Sequence, residues 1–258
     1  MKVVLWAGGL GSRISEESHL VPKPMIEIGG MPILWHIMKL YSHYGHNEFV
    51  ICLGYKQYVV KEFFKNYILH RSDVTFDMKE NKMHIHSGHA EPWKVTLVDT
   101  GMNVGKAGRL RRVKDYINDE TFAVAYGDNV SNVNINEVIK FHQSHGKIAT
   151  VTAVNVAQSK GVLNMNTNGS INSFGEKQQQ DATVVNGGFM VLNRKVFSYV
   201  EKVDDEVEFE DEPMRDLLAD GELMAYYHSG FWQCMDTQRE KMLLEKMWNE
   251  GDAPWKVW

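Results

Sequence analysis

Short apolar runs, each followed by a helical pattern, limit what this chain can fold into. VVLWA (3–7), EFVICLG (48–54) and TFAVAYGD (121–128) read as buried strands. PILWHIMKLYSHYG (32–45), opened by Pro32 and closed by Gly45, QYVVKEFFKNYIL (57–69) and INEVIKFHQSHG (135–146) read as helices, and IATVTAV (148–154) returns to the strand pattern. Buried strands alternating with helices predict a mostly parallel sheet covered on both faces. Such sheets bind ligands at the carboxyl ends of their strands. A glycine-rich loop follows the first run and Asp128 ends the third, so two distant segments are brought toward one place.

The loop is GGLGSR (8–13). Gly8, Gly9 and Gly11 let bare backbone N–H groups approach a ligand, and Arg13 adds a positive charge, which together suit a phosphate. The dinucleotide pattern G-x-G-x-x-G is not met, because from Gly9 the chain runs GLGSRI. GMNVGKA (101–107) departs from the P-loop twice, with three residues between its glycines and Ala107 after Lys106. Further on, Lys23 stands between Pro22 and Pro24, which restrict the backbone that presents its ammonium. Arg13 and Lys23 could hold one polyphosphate between them.

With 258 residues, 43% hydrophobic and 24% charged, the chain can bury a core sufficient for one large domain or two intimate ones. A net charge of −5 without a Lys/Arg run argues against nucleic acid as a partner. Cys52 and Cys234 are too few and too far apart for a disulfide framework or a cysteine zinc site, which fits the reducing cytoplasm. The opening MKVVLWAGG has an apolar stretch of about five residues, shorter than a signal peptide requires, and no stretch approaches a membrane span. From about residue 155 the chain turns to NTNGSINSFGEK, VVNGGFMVLN and MAYYHSGFWQCMD, short runs that predict a small β-rich lobe continuing the sheet. Without a linker, 1–258 is expected to be a single domain, with 1–154 its nucleotide-binding part and 155–258 its acceptor-binding part. TQREKMLLEKMWNEG (237–251) within that part reads as a helix capped by Thr237.

The segments AGGLGSR, PKPMIEIGG and PILWHIM together resemble the signature of the sugar-1-phosphate nucleotidylyltransferases. Further runs, CLGYK, SDVTF, EPWKVTLVDTG, GRLRRV, YGD, NGGF, GFWQCMDT and the final APWKVW, resemble the members of that family that are cytidylyltransferases for glucose 1-phosphate. The likeness extends along the whole chain. It implies an α/β, Rossmann-like nucleotidyltransferase fold: a mostly parallel mixed sheet flanked by helices, with a small acceptor-binding β-rich lobe. It also implies the reaction of CTP with α-D-glucose 1-phosphate to give CDP-glucose, a precursor of surface polysaccharide, and pyrophosphate. Arg13, Lys23 and Asp128 are implied as catalytic, and Asp128 and Asp236 as ligands of Mg2+. Ala7, Gly8, Gly9, Gly11, Ser12, Arg13, Lys23, Thr100, Gly101 and Arg109 are implied on the nucleotide side. Tyr126, Glu176, Lys177, Asn186 and Gly187 are implied on the acceptor side, and a homo-oligomer is expected.

The chemistry agrees with this set. A sugar phosphate, with a second pKa of about 6, attacks an α-phosphorus without a strong general base. Positioning and charge neutralisation then dominate, and magnesium suits both, taking phosphate oxygens plus one or two carboxylates.

Departures from the family pattern gather on the acceptor side. Gln178 stands where Pro commonly follows Glu-Lys, Asn129 where Gly commonly follows Gly-Asp, and AQSKGVLNM (157–165) lacks the expected Arg-Phe-Gly-like stretch. Trp6 replaces a smaller apolar residue. A second reading therefore stands beside the first: a CTP-dependent enzyme with a different, non-hexose, phosphorylated or phosphoramidate acceptor. A binding protein that has lost turnover is a third, weakened by the presence of both Asp128 and Asp236. Plainer roles are available for single residues. Asp128 and Asp236 could cap helices, and Glu176 with Lys177 could be a solvated turn pair. His84 and His86 share one strand face and read as polar surface rather than metal ligands, and Trp35, Trp93, Trp232 and Trp248 as core or interface anchors. VDDEVEFEDE (203–212) reads as a solvated face, with Glu210 or Asp211 bordering the sugar pocket.

Overall fold

The computed structural model describes residues 1–9, 19–88, 90–156, 162–165, 171–175 and 183–258. Apart from the two-residue pair Glu27–Ile28 and Met31–Pro32, its strands are β1 Lys2–Trp6, β2 Glu48–Leu53, β3 Ser72–Asp77, β4 Lys82–Gly88, β5 Lys94–Asp99, β6 Thr121–Tyr126 and β7 Asn129–Ser131. They continue with β8 Ala149–Val156, β9 Val162–Met165, β10 Ile171–Gly175, β11 Thr183–Asn193, β12 Leu223–His228 and β13 Trp232–Cys234. The α-helices are α1 Ile33–His43, α2 Gln57–His70, α3 Lys106–Arg112, α4 Ile135–His145, α5 Phe197–Val200, α6 Glu212–Ala219 and α7 Gln238–Asn249. Seven strands make the central sheet in the order β12-β8-β11-β6-β1-β2-β5. β11 alone is reversed, pairing antiparallel with both β6 and β8, so the sheet is mixed and mostly parallel, as expected. The later strands β8, β11 and β12 extend the sheet begun by the earlier ones.

Side-chain alternation along β1 explains the two layers. Val3 and Leu5 face a core that includes Ile33, Leu34, Ile37 and Met38 of α1, whereas Val4 and Trp6 face one that includes Ala107 and Leu110 of α3 and Phe197 of α5. Local signals set the helix ends. Pro32 precedes α1, Asn134 Oδ1 accepts from Glu137 N at 3.2 Å at the start of α4, and Gly146 closes α4 with φ +66. At α7, Thr237 and Glu240 form a reciprocal capping box. Among the described residues no helix is long and apolar enough to cross a membrane.

The C-terminal segment is held against α1 by a neutral histidine. His36 is fully buried, its Nε2 donates to the Ile28 carbonyl at 2.9 Å, and its Nδ1 accepts from Trp255 Nε1 at 3.3 Å. The rings of Trp35 and Trp248 meet it edge-on at 5.1 and 4.8 Å. Burial lowers the His36 pKa to about 4; burial and then His145 lower that of His142 to about 4 as well. Both folded values lie below the ordinary 6.5, so above pH 6.5 neither ring costs the native state anything. Between pH 6.5 and 4 the unfolded chain takes up protons that the native chain refuses, and stability falls. The loss from His36 alone reaches about 3 kcal/mol. Urea midpoints should drop between pH 7 and 5, and less steeply in His36→Gln; equal slopes in the two proteins would contradict the assignment.

Candidate active site

A cavity of about 590 Å³ opens beyond the carboxyl ends of β1 and β6. Gly8, Gly9, Lys23, Tyr126, Asp128 and Asn186 are among the residues that line it. Asp128 occupies the turn between β6 and β7. β7 pairs antiparallel with β13, placing Asn129 opposite Cys234, and Met235 N donates to the Asp128 carbonyl at 2.9 Å. That register brings Asp236 beside Asp128.

Lys23 completes the centre. It lies on a single 3-10 turn, Lys23–Met25, and is buried. Its Nζ donates to Asp128 Oδ2 at 2.7 Å and also to Asp236 Oδ1. Burial opposes the charged ammonium, but the Asp128 carboxylate and the hydrogen bonds that the ammonium donates to both aspartates outweigh it and raise the pKa above its ordinary value. Donor atoms of Asp128, Cys234 and Asp236 all lie within 4.8 Å of one another. The two carboxylates are hard oxygen donors that fit magnesium; the Cys234 thiol, its pKa pushed up by burial and then by Asp128, is a soft donor that does not.

Several residues expected on the nucleotide side converge on the Arg109 guanidinium. The Arg109 guanidinium is buried and donates to the carbonyls of Leu53, Gly101, Gly8 and Met102 at 3.2, 2.9, 3.0 and 3.3 Å, and to Thr100 Oγ1 at 2.7 Å. Thr100 is fully buried and donates its hydroxyl to the Leu53 carbonyl at 2.8 Å. Arg109 lines the cavity and Thr100 supports it from behind. Gly101 has φ +87, and a Cβ on Gly8 would strike the Arg109 guanidinium. Ala7 is buried, its N–H donating to the Cys52 carbonyl at 3.1 Å. Gly11, Ser12 and Arg13 lie outside the described residues.

On the acceptor side, Tyr126 donates its hydroxyl to Glu210 and accepts from Asn186 Nδ2 at 3.0 Å. Asn186 Oδ1 in turn accepts from Gly188 N at 3.0 Å, and Trp232 Nε1 donates to the Gly187 carbonyl at 2.8 Å. Gly188 has φ +75, and a Cβ there would run into Tyr126, so the NGG turn needs glycine. Trp6 stacks on Tyr126 with centroids 5.6 Å apart. Glu176 and Lys177 lie outside the described residues, as does the 176–182 segment that holds Gln178.

Several expectations need correction. The acidic run is not merely a solvated face: Glu208 lines the cavity and pairs with Lys106, Glu210 pairs with Lys106 at 3.2 Å, and Asp205 pairs with Arg111 and Arg112. Lys106, seen in the sequence only as part of a failed P-loop, holds its ammonium 5.6 Å over the Tyr126 ring. Trp93, Trp232 and Trp248 pack against the core and Trp35 is buried, as expected of anchors, and Trp232 in addition lines the cavity. His86 shares a 2.8 Å hydrogen bond with Thr75, and neither it nor His84 belongs to a cluster of three metal-type donors among the described residues.

Comparison with known proteins gives one family. The nucleotidyl transferase family model matches residues 2–248. Glucose-1-phosphate cytidylyltransferase of Salmonella typhimurium is 52% identical over 259 residues, covering 100% of each chain. The probable glucose-1-phosphate cytidylyltransferase of Bacillus subtilis is 45% identical over 258 residues, again covering 100% of each. A solved structure of a putative glucose-1-phosphate thymidylyltransferase from Bacillus anthracis superposes with a TM-score of 0.70 at 20% identity, covering 96% of this chain and 94% of that one. With cavity, sheet order and full-length likeness in agreement, this chain belongs to the nucleotidyl transferase family, on the branch of the glucose-1-phosphate cytidylyltransferases.

Proposed function

We propose that the protein transfers the cytidylyl group of CTP to α-D-glucose 1-phosphate, releasing pyrophosphate and giving CDP-glucose. The supporting observation is the pairing of Asp128 and Asp236 around Lys23 in a cavity walled by Gly8 and Gly9, in a chain 52% identical over its full length to a glucose-1-phosphate cytidylyltransferase. The acceptor phosphate attacks the α-phosphorus in line, and the pyrophosphate leaves on the opposite side. Gly8, Gly9 and Gly11 with Ser12 and Arg13 cradle the triphosphate through backbone N–H groups and the guanidinium. Lys23 and Arg13 stabilise charge on the α-phosphate and on the departing pyrophosphate. Arg109, tied to four carbonyls, keeps the 100–102 segment and Gly8 in register so that the cytosine meets a fixed wall. Asp128 and Asp236 would hold Mg2+, which when bound would neutralise phosphate charge. On the other side Tyr126, Glu176, Lys177, Asn186 and Gly187 receive the acceptor, Lys177 pairing its phosphate. Within a single domain, residues 1–154 mainly serve the nucleotide and 155–258 the acceptor, with Tyr126 reaching across to the acceptor and Asp236 to the metal.

A different acceptor is the second reading, and one observation favours it. The cavity wall beside Tyr126 carries the ionic group Lys106, Glu208 and Glu210, which suits a small charged acceptor better than the hydroxyls of a hexose. Pyrophosphate release with CTP should be measured across hexose 1-phosphates, acyl phosphates and phosphoramidates. Release with glucose 1-phosphate alone supports the first reading; release with a charged, non-hexose acceptor supports the second. Release with none of them contradicts both.

The protein acts as a homo-oligomer in the cytoplasm, where its free Cys52 and Cys234 remain reduced. The β3–β4 hairpin supports self-association: Val74 sits opposite Ile85 and Phe76 opposite Met83, one apolar face on which Phe76, Met83 and Ile85 are exposed. Phe76→Asp with Ile85→Lys should lower the mass found by sedimentation equilibrium. An unchanged mass would remove the hairpin from the interface.

A further inference from the structure

Lys23 holds a position that a metal bound to both carboxylates would contest. Its ammonium donates to Asp128 and Asp236 at the same time, while the backbone that carries it is restrained by Pro22 and Pro24. The side chain is buried, and the carboxylates are only partly so. An ammonium in hydrogen-bond contact with both acids neutralises half of their charge and repels a dication approaching the same oxygens. The geometry points to Lys23 as the gate of the metal site: in the nucleotide-free protein its ammonium holds the two carboxylates, and it yields them to a divalent cation when a triphosphate enters the cavity. This rests on the reading of Asp128 and Asp236 as metal ligands.

Three features carry the exchange. Lys23 lines the same cavity as Gly8 and Gly9, so a triphosphate on the glycine loop offers the ammonium a more negative partner within the range of its own rotamers. The backbone need not move, because the prolines restrict the main chain and leave the four-carbon stem free to turn. Departure of the ammonium takes a positive charge away from two adjacent carboxylates, which is costly in a partly buried site, so metal entry and lysine departure are coupled. The consequence is an order of binding: the protein alone takes up divalent cations poorly, and nucleotide and metal arrive together.

The test uses Mn2+ as the probe, with neither nucleotide nor acceptor present, and counts bound ion by the loss of the free-ion electron paramagnetic resonance signal. The wild type should bind weakly, Lys23→Met should bind about tenfold tighter or better, and Lys23→Arg, which keeps a cation there, should stay weak. Lys23→Met with Asp236→Asn should lose the gain. Melting gives a second readout: Mg2+ should raise the melting temperature of Lys23→Met and scarcely move that of the wild type. If the wild type binds Mn2+ as tightly as Lys23→Met, the gate is overturned while the carboxylates remain a metal site. If neither binds, the gate is overturned and the metal assignment fails with it.

Discussion

Asp128→Asn should lower turnover by about 10³-fold while leaving the fold intact. The carboxylate lies in a turn between β6 and β7, and its backbone carbonyl is held by Met235 N irrespective of the side chain. An amide of the same shape preserves that turn but removes a full negative charge from the pair that faces Lys23. In a reaction whose catalysis is mostly positioning and charge neutralisation, that loss falls on the chemical step. The kinetic signature is a fall in kcat with a modest change in the KM for CTP, together with an unshifted melting temperature. Asp236→Asn behaves alike, since both acids bond the same ammonium. Turnover within threefold of the wild type in either variant would overturn the assignment of these residues.

Arg109→Met produces the largest loss of stability, about 3–5 kcal/mol. Four carbonyls and the Thr100 hydroxyl take their hydrogen bonds from this one buried guanidinium, and no other side chain reaches that spot with the same fork. Methionine fills much of the volume and satisfies none of the oxygens; the Leu53 carbonyl keeps its bonds from Thr100 N and Oγ1, but the carbonyls of Gly8, Gly101 and Met102 lose the guanidinium that holds them. The segments that drift apart are Gly8, Leu53 and Gly101–Met102, and Gly8 and Arg109 itself line the cavity. Weaker CTP binding should therefore accompany the lower urea midpoint, and Arg109→Lys should recover only a small part of either. A stable variant with unaltered CTP affinity would mean that the wall is held by other contacts.

The parts of this structure that follow local rules were legible in the sequence. The apolar strands, the Pro32 and Gly45 limits of the first helix, and the Thr237 cap all depend on residues within a few positions of one another. Asp128 and Asp236 were legible as a pair only through family likeness, because their proximity depends on the β7–β13 register, which no local pattern encodes. Lys106, Glu208 and Glu210 show the limit most clearly. An acidic run and an isolated lysine each look like solvated surface until the segment after α5 packs across the start of α3, where Gly105 N and Ala107 N donate to the carbonyls of Asp205 and Val207 at 2.8 and 3.2 Å. Arg109 was expected on the nucleotide side through family likeness and lines the cavity, but its bonds to four carbonyls become visible only once three loops converge.

The central claim is cytidylyl transfer, and phosphorus-31 nuclear magnetic resonance of a mixture of protein, Mg2+, CTP and glucose 1-phosphate tests it most directly. The account predicts that the CTP resonances give way to pyrophosphate and to a pair of coupled doublets from a new diphosphate diester, and that Asp128→Asn leaves them unchanged over the same interval. CTP that stays intact, or is hydrolysed to CMP with no new diester, when glucose 1-phosphate and the charged acceptors are each supplied, would contradict it.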